Sequence, residues 1–328
     1  MPNQIDPETR LRLLTGMLRI RRIEEAVASR YAEQEMRCPV HLSVGQEATA
    51  VGVSARLSGT DLVLSAHRSH AHYLAKGGDL AAMLGELYGK ETGCAKGRGG
   101  SMHLFDLEAG VIAAVPIVGS SLPIGVGVAW GIRTKGLEDV VVIYLGDGAT
   151  EEGAFAESLD FASLKGLPVL FVCENNQYSV YTSLHERQSA RRSICQVAEA
   201  HGVTALQGDG NNVEEVFSLA GRAIEHIMTH KEPFLLELST YRWLEHCGSI
   251  SDDHLGYRPD GELAGWLERC PIAMQRDSLL QASLLTEEKL AAMEIEICRE
   301  IEAGFRSAKA GDFPAASELF KHVYAEDK

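Results

Sequence analysis

Apolar positions recur at three-to-four spacing or its multiples through residues 7–35. Leu11, Leu14, Leu18, Val27 and Tyr31 stand among many charges, a spacing that predicts an amphipathic helix. Asp6 before Pro7 supplies an N-cap with proline at the first helical position. Further along, the period changes. Val140-Val141-Val142-Ile143-Tyr144-Leu145 is a short β-branched apolar run and predicts a strand buried on both faces. A helix is expected over about 151–164, with Phe155, Leu159 and Ala162 on one side, ended by Lys165-Gly166-Leu167-Pro168. Val169-Leu170-Phe171-Val172-Cys173 predicts a second buried strand, which completes a βαβ unit with a right-handed crossover. Asn211-Asn212 opens another helix through Val216, Leu219, Ala223 and Ile227, and Phe234-Leu235-Leu236-Glu237-Leu238 predicts a third strand. A last helix, over 286–305, carries Leu290, Met293, Ile297, Ile301 and Phe305 in register.

Strands alternating with helices imply an α/β fold: an open, mostly parallel sheet flanked by helices, with ligands at the carboxyl ends of its strands. No linker and no internal repeat interrupts the pattern. One domain over 1–328 is expected, with a helical N-terminal arm at about 7–35 and C-terminal helices at about 286–328. Glycine is dense between Gly77 and Gly153, around Lys96-Gly97-Arg98-Gly99-Gly100-Ser101-Met102-His103. Such a stretch cannot be one long helix, because glycine loses too much backbone entropy there. An ordered loop that approaches a ligand is expected, since Met102, Leu104 and Phe105 are not linker residues.

The chain has 328 residues, 45% hydrophobic and 23% charged, which suits a globular core and excludes general disorder. Its 31 Lys+Arg against 46 Asp+Glu give a net charge of −15. That balance argues against nucleic acid and anionic membranes as partners. The N-terminus shows no secretory signal, no apolar stretch approaches the ~20 residues of a membrane span, and the seven scattered cysteines form no C-x-x-C pair. A reducing cytoplasm is the expected location.

The chemistry gathers around the βαβ unit. Gly146-Asp147-Gly148 follows its first strand and Asn175-Asn176 its second, with 26 residues between Gly148 and Asn175. Both clusters therefore fall at one edge of a parallel sheet. A carboxylate and a neutral amide carbonyl suit Mg²⁺, which completes its shell with phosphate and water. The glycines flanking Asp147 let a diphosphate approach backbone N–H groups near a helix start.

The span from Gly146 to Asn176 resembles the thiamine-diphosphate motif. The wider chain, roughly residues 10 to 310, resembles the alpha subunit of the heteromeric 2-oxo acid dehydrogenases, the decarboxylating component of pyruvate, branched-chain and acetoin complexes. The matching pieces are His41-Leu42-Ser43-Val44-Gly45-Gln46-Glu47, Ala66-His67-Arg68-Ser69-His70, Gly97-Arg98-Gly99-Gly100-Ser101-Met102-His103, Ile117-Val118-Gly119, Thr240-Tyr241-Arg242 and Gly256-Tyr257-Arg258. The G-G-S-M-H piece separates this family from transketolases.

The resemblance implies a thiamine-diphosphate-binding fold of the diphosphate-binding type, and roles residue by residue. Asp147, the Asn176 side chain and the Tyr178 carbonyl would ligate Mg²⁺. Gly148 and Ala149 would line the diphosphate, and Arg68 would bind a terminal phosphate oxygen. His67 stands where the family usually has tyrosine. Val118 would touch the aminopyrimidine, and Pro116 replaces a usual glycine and has no N–H to donate. Three histidines would handle protons: His41 beside the substrate, His70 past Arg68, and His246, which also falls on the phosphate side. His246 lies in a loop over 243–253 that is two residues longer than the family's Y-R-Y-H-G-H-S-M-S-D.

The family also implies partners. The glutamate that activates the aminopyrimidine belongs to a separate beta subunit, so an α₂β₂ assembly is expected, with the cofactor at the interface and a lipoyl acyltransferase as acyl acceptor. The substrate would be a 2-oxo acid or acetoin. The altered loop leaves open a thiamine-dependent carboligase or transketolase-like half-enzyme with a non-lipoyl acceptor. A nicotinamide dehydrogenase is excluded, because no G-x-G-x-x-G opens a helix after a strand with an acidic residue about 20 positions on.

Overall fold

The computed structural model describes residues 5–321 and 323. Among these, the helices are α1 (Pro7–Tyr31), α2 (Glu47–Ser54), α3 (His70–Lys76), α4 (Leu80–Leu87), α5 (Ser121–Thr134), α6 (Gly153–Lys165), α7 (Leu184–Arg187), α8 (Ile194–Ala200), α9 (Val213–His230), α10 (Glu262–Glu268), α11 (Pro271–Gln281) and α12 (Glu287–Ala310). The strands are β1 (Leu62–Ser65), β2 (Val111–Ala114), β3 (Val141–Gly146), β4 (Val169–Asn175), the short pair β5 (Tyr178–Ser179) and β6 (Thr182–Ser183), β7 (Thr204–Asp209) and β8 (Phe234–Ser239).

The main sheet runs β2-β1-β3-β4-β8-β7, and every neighbouring pair is parallel. The apolar runs explain its centre. Val141, Ile143 and Leu145 of β3 point with Val169, Phe171 and Cys173 of β4 toward α5, α6 and α8. The alternate residues, Val142, Tyr144, Leu170 and Val172, face α2 and α9. Each fully buried Val, Leu or Phe contributes roughly 1.5–3 kcal/mol, so strands with no polar face are held firmly between two helical layers.

A second core lies beside the sheet. There α1 buries Leu14, Met17, Leu18 and Val27 against Tyr73 of α3, Leu84 of α4, Leu279 of α11 and Phe305 of α12. Asp6 caps α1 as expected, its Oδ1 accepting from Thr9 N at 2.9 Å. The helix expected as an N-terminal arm packs into this core. The expected C-terminal helices reach Ala310 in α12, and Ala316–Phe320 is a 3₁₀ turn. Residues 322 and 324–328 of that expectation lie outside the described residues.

The structure departs from the sequence reading in several elements. Strands β1, β2 and β7 were not anticipated: the first two are four residues long, and β7 is only partly buried. The glycine-dense region holds α4, β2 and α5 as well as loop. Glycine sits inside α5 for a packing reason: a Cβ on Gly125 would lie 2.5 Å from Ile143 Cδ1, so the helix rests directly on β3. Helix α6 starts at Gly153, two residues later than expected, because Asp147–Glu151 forms a 3₁₀ turn first.

Candidate active site

The topology points to a crevice. Strands β1 and β3 are neighbours, yet the chain leaves β1 toward β2 on one side and leaves β3 toward β4 on the other. Ligands bind at such switch points, outside the carboxyl ends of the strands. The residues just past those ends, His67 and Arg68 after β1, Asp147, Gly148 and Ala149 after β3, and Asn176 and Tyr178 after β4, line one cleft. The register sets Gly146 against Glu174, so Asp147 and Asn176 leave adjacent strand tips.

Asp147 is 1% exposed. Burial pushes its carboxyl above the usual carboxylate range, while its ion pair with Arg187 pulls the other way. Asn176 turns its Nδ2 toward Gln46 Oε1 at 3.4 Å, and its Oδ1 accepts from Tyr178 N at 3.2 Å. A Cβ on Gly146 would meet no protein atom within 4 Å, because the space above it is cleft. A Cβ on Gly148 would lie 2.9 Å from Ser179 Oγ. Glycine at 148 therefore lets the turn and the β5 hairpin close on each other.

Arg68 is buried. Its Nη1 donates to Leu42 O at 2.5 Å and its Nη2 to His246 O at 3.2 Å. Burial, then the nearby Arg242 guanidinium, lowers its pKa to about 10. The three rings of His41, His67 and His246 pack mutually, with centroids 5.1, 5.1 and 5.2 Å apart. Burial first and the Arg68 charge second hold all three neutral, at about 3, 2 and 4 respectively. The Nδ1 of His41 is buried without a partner among the described residues. Pro116 and Val118 form an apolar wall, with Val118 45% exposed.

His70, expected among the proton-handling histidines, is not brought into the cleft. It is fully buried, with Nδ1 2.9 Å from Glu24 Oε2 and Nε2 2.7 Å from Ser101 Oγ. Its contacts tie α1 to the glycine-rich loop, so it acts on that loop from behind. In the glycine-rich loop, the N–H groups of three glycines are taken by a protein acid. The buried Glu86 carboxylate accepts from the N–H groups of Ala95, Gly97, Gly99 and Gly100 at 2.6–2.9 Å. Met102 alone of the Lys96–His103 piece reaches the cleft wall.

The 243–253 loop is held at both ends. Trp243 N donates to Val44 O at 3.0 Å, and its ring covers Arg21 at 4.0 Å. Glu245 and Ile250 pair across the extra residues, Gly248 N donates to Val40 O at 2.9 Å, and Arg242 and Arg258 both reach Asp252. This closure brings His246 to His41 and His67.

Sequence reasoning missed three residues that line the cleft, Gln46, His72 and Glu174, and a fourth, Arg187, that holds Asp147 from outside that lining. Gln46 lies in the H-L-S-V-G-Q-E piece. His72 stacks on Tyr144 at 3.7 Å, bonds Ser65 Oγ at 2.7 Å and stands 3.3 Å from Glu174 Oε2. Glu174 immediately precedes Asn175-Asn176, so its place at the strand tip was readable. Arg187 carried no signal, since its partner Asp147 is 40 positions away.

A family model described as the dehydrogenase E1 component matches residues 15–317. The chain belongs to the dehydrogenase E1 component family. It is 34% identical over 317 residues to the pyruvate dehydrogenase E1 component subunit alpha of Rickettsia felis (strain ATCC VR-1525 / URRWXCal2), covering 97% of this chain and 96% of that one. It is 36% identical over 321 residues to the mitochondrial subunit alpha-1 of Oryza sativa subsp. japonica, covering 98% and 81%. It is 35% identical over 318 residues to the mitochondrial subunit alpha-2 of Arabidopsis thaliana, covering 97% and 79%. This E1 chain is thus an alpha-type subunit of a thiamine-diphosphate-dependent 2-oxo acid dehydrogenase, an oxidoreductase component. Among the described residues of the E1 chain, no helix is long and apolar enough to cross a membrane.

Proposed function

We propose that the chain binds thiamine diphosphate through Mg²⁺ and, with a beta subunit, decarboxylates a pyruvate-like 2-oxo acid whose acyl group passes to a lipoyl carrier in the cytoplasm. The observation that carries this is the arrival of a buried carboxylate and an amide at the tips of two hydrogen-bonded strands, lining one cleft. The donor set fits the ion: Asp147, the Asn176 amide and the Tyr178 carbonyl are hard oxygens and few, as Mg²⁺ prefers. Thiamine diphosphate, when bound, supplies the electron sink for loss of CO₂.

The chain's own residues do the rest. The N–H groups of Gly148 and Ala149 open the 3₁₀ turn and suit a diphosphate. Arg68, kept charged in a buried setting, balances the anionic tail. The neutral rings of His41 and His246 each have a donor and an acceptor nitrogen, so they orient a carboxylate and move a proton without competing for charge. His67 packs the two together. Pro116 and Val118 exclude water from the pyrimidine side. The activating glutamate comes from the beta subunit, which completes the site.

The deciding experiment is Asp147→Ala. Wild type should bind thiamine diphosphate with a strict requirement for Mg²⁺ or Mn²⁺, and the variant should lose that binding by more than about 100-fold, as loss of a metal ligand entails. Unchanged affinity would remove the assignment. The 243–253 loop favours a second outcome, an acceptor other than lipoyl. Offering the α/β pair a lipoyl domain and an aldehyde acceptor side by side separates the two.

A further inference from the structure

Asp147 has two carboxylate oxygens, and they differ. Its Oδ2 is ion-paired with Arg187, whereas no other described residue donates to Oδ1. Arg187 is itself braced. Its Nη1 pairs with Glu151, its Nε donates to Thr182 O at 3.1 Å, and its side chain is only 11% exposed. The segment around it is stitched to the same turn. Gln188 Nε2 reaches Glu151 Oε1 at 2.8 Å and Thr150 Oγ1 at 3.2 Å, and Arg192 donates to both the Thr150 hydroxyl and its carbonyl. The hydroxyl of Thr150 in turn donates to Asp147 O at 2.7 Å. Residues 187–192 therefore clamp the 147–151 turn, and the arginine is the part of the clamp that touches the carboxylate.

Resting on the cation site proposed above, we propose that Arg187 is a positioning residue that occupies Asp147 Oδ2 and so presents Oδ1 to the ion as a single-oxygen ligand. The physical consequence is selectivity. Mg²⁺ and Mn²⁺ want near-octahedral single-oxygen donors, whereas Ca²⁺ accepts a carboxylate through both oxygens and a looser shell. A carboxylate locked on one oxygen serves the smaller ions. One released from Arg187 is free to rotate and to chelate, which favours Ca²⁺. Outer partners of a metal ligand set affinity in this way because they fix the ligand's orientation before the ion arrives.

The test uses the full chain in its native assembly, with Mn²⁺ as the probe in the presence of thiamine diphosphate, followed by calorimetry or Mn²⁺ paramagnetic resonance. Wild type should bind Mn²⁺ well and prefer it to Ca²⁺. Arg187→Ala should lower Mn²⁺ affinity about 10- to 100-fold and narrow the Mn²⁺ over Ca²⁺ preference, and Arg187→Lys should restore part of both. The preference ratio is a readout that a merely structural loss does not move. Unchanged Mn²⁺ affinity and unchanged preference in Arg187→Ala would overturn the proposal. Tighter Mn²⁺ binding would also overturn it, by making the arginine a competitor of the ion. Should Arg187→Ala fail to fold, Glu151→Gln decides. It loosens the brace without touching the carboxylate, and a smaller loss of the same sign supports the proposal while no change overturns it. If wild type itself binds no Mn²⁺ with thiamine diphosphate, the function proposed above falls too. If wild type binds and Arg187→Ala binds equally, only the role of Arg187 falls.

Discussion

Three imidazoles, His41, His67 and His246, make the cleft sensitive to acid. All three are held below the ordinary histidine value of 6.5, chiefly by burial and then by Arg68. The unfolded chain returns them to 6.5. As pH falls from 6.5 toward 4, the unfolded state takes up protons that the folded state refuses, so stability falls across that window and is flat above it. Urea unfolding of the free chain at pH 7.5 and pH 5.0 should show a loss of roughly 2 kcal/mol from these rings, allowing for solvent screening of the less buried ones. His67→Phe should remove part of that loss. An identical pH dependence in the variant would show that His67 does not contribute. Among single residues, Asp147 and Asn176 immediately follow their strands and Arg68 lies shortly after β1, and all three line the cleft. His70, two positions past Arg68, opens α3 and turns its ring away from the cleft, toward Glu24 and Ser101.

Glu86 and the glycine-rich loop form one unit. Four backbone N–H groups converge on a single carboxylate, and Gly97 and Gly100 adopt positive φ to allow it. Glu86→Gln replaces an acceptor oxygen with a donor NH₂ and strands part of that set. The expected loss is about 3 kcal/mol, since unpaired buried donors cost roughly 1–3 kcal/mol each and are not additive. Chemical denaturation checks it, together with faster protease cutting between 95 and 103. A variant as stable as wild type would mean that the glycines, not the acid, order the loop. Elements were legible where the apolar run was long: β3, β4, β8, α1, α9 and α12 fall within a few residues of their expected places. The four-residue β1 and β2 were not, because so short a run carries no periodicity. Nor was α5, whose glycines look like loop until Ile143 is seen beneath them.

At the scale of the molecule, the cleft is edged by exposed apolar groups. Ile117, Val118, Val180 and Tyr181 are 42–71% exposed on the segments that border the cleft. Apolar groups at the edge of a binding cleft suit burial by a second polypeptide. The chain purified alone should decarboxylate no 2-oxo acid at a measurable rate, and adding a beta subunit should restore turnover and protect these side chains from solvent. Robust turnover by the single chain would refute the need for a partner. The α/β class and the sheet-edge site were legible in the sequence, because the βαβ unit carries both. The packing of α1 into a second core was not, because its partners α11 and α12 lie at least 240 positions away in the chain.

Strands β3 and β4 run side by side with Gly146 opposite Glu174. Asp147 and Asn176 each follow the last residue of their strand, so the span between them is set by the ladder and not by the length of the crossover. The crossover through α6 can gain or lose a turn without disturbing it, whereas slipping one strand by a single rung would part the two groups and flip their neighbours to the opposite face. Length variation among descendants of this chain is free to accumulate in the crossover and is barred from the rungs.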